Sequence, residues 1–186
     1  MINLFIGGVR SGKSDAAENL LNRIITQDQA LKPAYVATSV AFGKETIARI
    51  EKHQQSRQSR FTQAITTHEL DYQQTDLLQV LKQLNTPQHV VLIECLSTWV
   101  GWYLSAENTL QQNLANFKQQ QLDLLNFLKQ AKCSIIIVTG EVGCGLIGET
   151  PLQRRYADQL GELNQQVVAL SDHVYLLTAG ITQTLK

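Results

Sequence analysis

An α/β fold, with a mostly parallel sheet covered on both faces, follows from three observations. Short apolar runs of strand length alternate with longer amphipathic segments of helical period along the whole chain. The runs are apolar at consecutive positions rather than at every second one, as strands buried on both faces are. The first run passes straight into a glycine-rich turn and then a helix-like segment, the opening of a strand–loop–helix unit. These observations predict a P-loop NTPase-like three-layer sandwich, closed by a terminal antiparallel strand. The 186 residues, 44% hydrophobic and 17% charged, suit one domain over 1–186 with a full core.

The predicted strands are Leu4-Phe5-Ile6, Ala34 to Thr38, Val90 to Ile93, Ser134 to Val138 and Val174 to Thr178, with a short last one at Thr182 to Leu185. The predicted helices span 13–27, 44–58, 73–85, 96–104, 107–131 and 151–170. The glutamine clusters, Gln111-Gln112 and Gln119-Gln120-Gln121, fall within helical patterns and read as solvated helix surface. Trp99, Trp102 and Tyr103 form an apolar-aromatic face that suits core or subunit packing better than a ligand platform.

Sixteen basic and sixteen acidic residues balance, which gives no reason to expect a nucleic-acid partner. The longest apolar runs, about six to eight residues, are too short for a transmembrane segment. The chain enters its first strand directly, so no signal peptide is expected. Cys95, Cys133 and Cys144 form no C-x-x-C pair, and Cys95 and Cys133 lie in or beside apolar runs. Reduced core cysteines and a cytoplasmic protein are therefore expected.

The chemistry starts at the first turn. Gly7-Gly8-Val9-Arg10-Ser11-Gly12-Lys13-Ser14 fits G-x-x-x-x-G-K-[ST] without a mismatch. Gly7 and Gly12 permit backbone angles that let successive N–H groups turn inward around phosphate. The helix beginning near Lys13 aims its positive end at the same point. Lys13 suits the β- and γ-phosphates, and the Ser14 hydroxyl suits Mg²⁺. The 90–93 strand ends at Glu94, where such folds place an acid that holds Mg²⁺ directly or through water; a helix N-cap or a buried acid with another partner is the other reading.

Other strand ends are less specific. Ala37-Thr38-Ser39 are small enough to admit a nucleotide to the backbone, or to form a plain turn. Glu45, Arg49, His53 and Arg57 share one helix face, with Lys52 and Arg60 nearby. An imidazole between guanidiniums stays neutral near pH 7 and is available as nucleophile or ligand. An ordinary charged surface helix has the same spacing. The segment from Gly140 to Gly148 holds four glycines and reads as a substrate loop or as a structural crossover. Glu149, Arg154, Arg155 and Asp158 open the helix that follows. His68, His89 and His173 have no neighbouring constellation.

The chain resembles the bifunctional adenosylcobinamide kinase/adenosylcobinamide-phosphate guanylyltransferase family of cobalamin biosynthesis over nearly its whole length. The segments that carry the resemblance are Gly7–Ser14, Tyr35–Ser39, Ala48–His53, Leu92–Trp99, Glu141–Gly145, Arg154–Asp158 and Gly161–Gln165. It implies phosphorylation of adenosylcobinamide by ATP or GTP, then transfer of GMP from GTP to that phosphate through a guanylyl-histidine. The matching histidine is His53, with Lys13 as its catalytic partner. It further implies nucleotide contacts at Gly7, Gly8, Val9, Arg10, Ser11, Gly12, Lys13, Ser14, Ala37, Thr38, Ser39, Gln54, Gln55, Ser56, Arg57 and Glu94. Mg²⁺ would sit at Ser14 and Glu94, and the assembly would be a homotrimer with active sites near subunit contacts.

This sequence departs from the family pattern at several positions. Gly43-Lys44-Glu45 keeps one acid before the histidine helix, and Gly140 replaces an asparagine. Gly148 lies where a proline is usual nearby, Ile65 stands where an acid is expected, and a prolyl position near Thr182 differs. A kinase that has lost guanylyl transfer, or a nucleotide-binding regulator without turnover, are the competing readings.

Overall fold

The computed structural model describes residues 1–39 and 61–186. Within them one seven-stranded sheet contains β1 (Ile2–Gly7), β2 (Lys32–Ala37), β3 (Thr66–Glu69), β4 (His89–Glu94), β5 (Ser134–Gly140), β6 (His173–Thr178) and β7 (Ile181–Thr184). The order is β3-β2-β4-β5-β1-β6-β7. Neighbours are parallel except β6 and β7, the terminal antiparallel pair that the sequence predicts. The described helices are α1 (Lys13–Gln27), α2 (Leu77–Gln83), α3 (Leu96–Leu104), α4 (Leu110–Lys129) and α5 (Pro151–Leu170).

Both faces of the sheet are covered, which explains the continuous apolar runs. In β1, Phe5 packs with Ala17, Leu21 and Ile25 of α1, whereas Leu4 and Ile6 face the opposite side. Val90 and Leu92 of β4 join the α1 side, while Val91 and Ile93 join the other. On that larger side, Trp99 of α3, Phe117 and Leu124 of α4, and Leu160 and Leu163 of α5 are fully buried. Each such aliphatic side chain contributes about 1.5–3 kcal/mol by leaving water. The result is the P-loop NTPase-like three-layer arrangement.

Local chemistry shortens two predicted helices. The segment expected as helical from residue 73 begins only at Leu77. The Asp71 carboxylate accepts the N–H groups of Gln73, Gln74 and Thr75, which holds a turn there, and Asp76 caps α2 in a reciprocal pair with Gln79. The 107–131 segment starts instead at Leu110, because Thr109 and Gln112 form the same kind of capping box. Thr150 and Gln153 repeat it ahead of Pro151, where α5 starts as predicted.

β2 begins earlier than expected, and β3 is a strand that the sequence does not predict. β2 starts at Lys32, before Pro33. Lys32 donates its N–H to Gln88 on the β4 side, so position 33 faces the side where β3 has not yet begun and its missing N–H costs no ladder bond. β3, Thr66-Thr67-His68-Glu69, has no apolar run and is mostly exposed. It forms by pairing with β2 at the sheet edge, a tertiary event without a local sequence signal.

Candidate nucleotide site

β1 lies between β5 and β6, so its carboxyl end opens near the middle of the sheet. Gly7 closes the strand in register with Gly140 and Leu177. A Cβ on Gly7 would lie 2.4 Å from the Leu177 carbonyl oxygen, so no side chain fits there. Gly12 adopts φ 92°, open to glycine and strained for other residues, and Arg10 holds φ 57°. The first helical bond of α1 runs from Ala16 N–H to the Gly12 carbonyl. The N–H groups of the preceding turn therefore point along the axis toward the loop, where an anion is favoured.

The loop is braced from two sides. Glu141 N–H donates to the Gly7 carbonyl at 3.0 Å, and Gly180 N–H donates to the Ser11 carbonyl at 3.0 Å. The β6–β7 turn thus sits directly against Gly12, whose Cβ position is 3.4 Å from the Gly180 Cα. Ser11 is buried, and its hydroxyl has no hydrogen-bond partner among the described residues. Gly8, Val9 and Arg10 are exposed along the outer rim. The Lys13 ammonium reaches across the loop and donates to the Gly8 carbonyl at 2.6 Å.

The fold brings Ser14 and Glu94 together across 80 residues of sequence. The Ser14 hydroxyl donates to Glu94 Oε1 at 2.8 Å. β5 intervenes between β1 and β4, which places the acid one strand away from the loop. A hydroxyl and a carboxylate converging at a phosphate loop are hard oxygen donors, the class that Mg²⁺ takes. The pair therefore fits the ion. Among the described residues no group of three or more His, Cys, Asp or Glu side chains could hold a metal by itself, so substrate phosphate and water would complete the shell.

At the end of β2, Thr38 is fully buried. Its hydroxyl donates to the Cys95 carbonyl and accepts from Cys95 N–H, both at 2.7 Å. Its N–H donates to the Glu94 carbonyl at 2.9 Å, and its carbonyl accepts the Tyr72 hydroxyl at 2.6 Å. Ala37 and Ser39 beside it are half-buried. Tyr72 holds a positive φ of 59° and stacks on Trp102, ring centroids 4.7 Å apart. Burial pushes its hydroxyl well above the ordinary phenol range, so it remains a donor. Trp99 and Tyr103 pack edge to face, as expected of a packing cluster.

Cys95 is half-buried, and its thiol meets the Ser97 and Thr98 hydroxyls at 2.9 and 3.1 Å. Burial first, and Glu94 second, push that thiol above its usual range. Cys133 is buried, Cys144 is exposed, and all three thiols are free.

Two of the departures from the family pattern acquire physical reasons, and a third position is a tight fit. Ile65 packs with Phe61 against the α1 side of the core. The segment around it is tied to α1, Thr62 N–H to Asn22 at 3.1 Å and the Gln63 amide to the Ile25 carbonyl at 3.0 Å. Gly148 lies against the first turn of α5, where a Cβ would be 2.5 Å from that of Gln153. At Gly140 a Cβ would lie 3.3 Å from that of Ser97, tight but not closed. His53, Gln54, Gln55, Ser56 and Arg57 lie outside the described residues, as do Glu45, Arg49, Lys52 and Arg60.

Two further groups escaped the sequence reading. Asn164 of α5 donates to the Gly140 carbonyl at 2.9 Å and accepts from the Thr139 hydroxyl at 2.8 Å. This clamp sets the end of β5 beside the phosphate loop. The signal was there: a buried polar residue on the stripe of Leu160, Leu163 and Val167. Tyr72 gave no such sign, since its role depends on a turn conformation.

Comparison with known proteins agrees along the whole chain. A model of the CobU family, described as cobinamide kinase / cobinamide phosphate guanyltransferase, matches residues 3–185. The bifunctional adenosylcobalamin biosynthesis protein CobU of Salmonella typhimurium is 31% identical over 194 residues, covering 100% of both chains. The protein of the same name from Escherichia coli is 30% identical over 201 residues, again covering 100% of both. CobP of Pseudomonas aeruginosa, also a bifunctional adenosylcobalamin biosynthesis protein, is 30% identical over 100% of this chain and 98% of its own. Among solved structures, the KaiC-like protein PH0186 from Pyrococcus horikoshii OT3 superposes with a TM-score of 0.48 at 14% identity, over 94% of this chain and 69% of that one. With a match that runs almost from end to end, this chain belongs to the cobinamide kinase / cobinamide phosphate guanyltransferase family.

Proposed function

We propose that this chain is a bifunctional transferase of cobalamin biosynthesis, acting as one domain. It phosphorylates adenosylcobinamide with ATP or GTP, then transfers GMP from GTP to the new phosphate, giving adenosylcobinamide-GDP and pyrophosphate. Family membership over residues 3–185 supports the substrate class. The observation that carries the chemistry is the 2.8 Å meeting of Ser14 with Glu94 beside the phosphate loop.

The loop N–H groups and the start of α1 bind the phosphate chain, and Lys13 neutralises charge on it. Ser14 and Glu94 would hold Mg²⁺, which when bound offsets phosphate charge. In the kinase step the acceptor hydroxyl attacks the γ-phosphorus and gives its proton to solvent, while the bond from that phosphorus to the bridging oxygen breaks and the nucleoside diphosphate leaves. In the second reaction the neutral His53 imidazole attacks the α-phosphorus of GTP. The bond from the α-phosphorus to the bridging oxygen breaks, and pyrophosphate departs. A phosphate oxygen of adenosylcobinamide phosphate then attacks the same phosphorus, and the P–N bond breaks to restore His53. Gln54, Gln55, Ser56 and Arg57 are proposed as nucleotide contacts next to it.

The test is incubation with α-labelled GTP and Mg²⁺. An acid-labile, base-stable label on the protein, lost in His53→Ala, is the expected result. Absence of label on the wild-type protein would leave only the kinase. A homotrimer in the cytoplasm is proposed as the working form, and light scattering at three times the chain mass would bear on it. No described helix is long and apolar enough to cross a membrane.

A further inference from the structure

We propose that Thr38 and Tyr72 are positioning residues that set the Glu94 carboxylate against Ser14, making the metal-dependent part of nucleotide binding depend on a hydroxyl relay from outside the phosphate loop. The inference rests on the reading of Ser14 and Glu94 as the metal pair.

The geometry forms a continuous chain of hydrogen bonds. The Tyr72 hydroxyl donates to the Thr38 carbonyl at 2.6 Å. Thr38 N–H donates to the Glu94 carbonyl at 2.9 Å, and the Thr38 hydroxyl spans Cys95 N–H and carbonyl at 2.7 Å each. Thr38 therefore grips the backbone at Glu94 and at the residue after it. Glu94 is the last residue of β4, where strand pairing ends and the chain enters α3. Position 38 lies just past β2, whose register sets Ala37 opposite Glu94. The grip therefore adds to the register pairs that Glu94 makes with Ala37 and Val138.

Thr38 is 0% exposed and both functions of its hydroxyl are engaged. This geometry favours a strap over direct contact with nucleotide. Tyr72 is anchored in turn by its stack on Trp102 and by the turn that Asp71 holds. A buried hydrogen bond carries enough free energy that losing it should change a coupled equilibrium about fivefold.

The experiment measures GDP binding by calorimetry on the full chain, in EDTA and in saturating Mg²⁺, and takes the ratio of the two dissociation constants. No turnover is involved. Glu94→Gln should abolish the metal-dependent gain. Tyr72→Phe keeps the aromatic stack, should lower the ratio about fivefold, and should leave metal-free GDP affinity unchanged. Thr38→Val should also lower the ratio about fivefold, and Thr38→Ser should restore the wild-type ratio. Tyr72→Phe decides the matter if Thr38→Val fails to fold. If Glu94→Gln loses the gain while Tyr72→Phe and Thr38→Val keep it, the relay is wrong and the metal pair stands. If Thr38→Val weakens metal-free GDP as much as Mg²⁺-GDP, Thr38 is a nucleotide contact and the strap is overturned. A wild-type ratio in Glu94→Gln removes the premise and the proposal with it.

Discussion

The loops that follow β1 and β5 leave adjacent strands at facing glycines, Gly7 and Gly140, and are built in opposite ways. The phosphate loop is braced by backbone bonds from outside, from Glu141 and Gly180, and has a left-handed glycine at its helix junction. The loop after β5 is held by side chains, Glu141 from within it and Arg154 from α5. Glu141 accepts Gly143 N–H, and Arg154 donates to the Gly148 and Glu149 carbonyls. Its tip turns Leu146 and Ile147 outward, nearly fully exposed. Glycine content is shared, but the loop after β1 passes at left-handed Gly12 straight into the N-terminus of α1, the helix end where an anion is favoured.

The largest expected effect breaks that contrast at its chemical centre. Lys13→Ala should lower both transfer steps by about 10²-fold or more, measured as initial rates with each acceptor, since phosphate charge loses its nearest ammonium. Retained turnover would remove Lys13 from the mechanism. Next come the glycines. Gly7→Ala forces a Cβ to 2.4 Å from a backbone carbonyl, whereas at Gly8 nothing lies within 4 Å. Urea denaturation should show a loss of about 1–3 kcal/mol for the first and a change within about 0.5 kcal/mol for the second. Equal losses would mean that the close approach of the Leu177 carbonyl to Gly7 is unimportant.

Asn164→Ala removes one buried and one part-buried bond at the end of β5 and should cost about 2 kcal/mol in the same assay. Arg154→Ala strips exposed bonds from the second loop and should cost about 0.5 kcal/mol while sparing GDP affinity. A large effect on binding there would erase the distinction between the two loops.

The smallest effect lies at the sheet edge. Burial first, and His89 second, lower the His68 pKa from its ordinary 6.5, so the unfolded chain binds the proton more readily. Stability from this group is therefore present above pH 6.5 and lost as pH falls toward the lower folded value. Denaturation midpoints at pH 5 and pH 7 should differ less in His68→Gln than in the wild-type chain.

Much of this was written locally. The G-x-x-x-x-G-K-[ST] run needs only eight consecutive residues, and α1 begins and ends where the sequence predicts. Glu94 was legible because an acid after four buried apolar residues stands out. Asn164 is legible in principle as a polar residue on an apolar stripe. β3 was not, since its four half-polar residues become a strand only against β2. At Ala37-Thr38-Ser39 spacing leaves a nucleotide approach and a plain turn equally open, whereas the burial of Thr38 and its fully engaged hydroxyl belong to the tertiary structure.

Sequence by itself determined the parallel sheet, the phosphate loop and the class of ligand, because those depend on periodicity and on backbone freedom at neighbouring residues. Tertiary structure alone decided which distant groups meet. Ser14 reaches Glu94, Tyr72 reaches Thr38 and Asn164 reaches Gly140 only after strands separated by dozens of residues have taken their order in the sheet. Hydrogen bonds act over about 3 Å, and nothing in a linear spacing specifies a distance that the fold has yet to close.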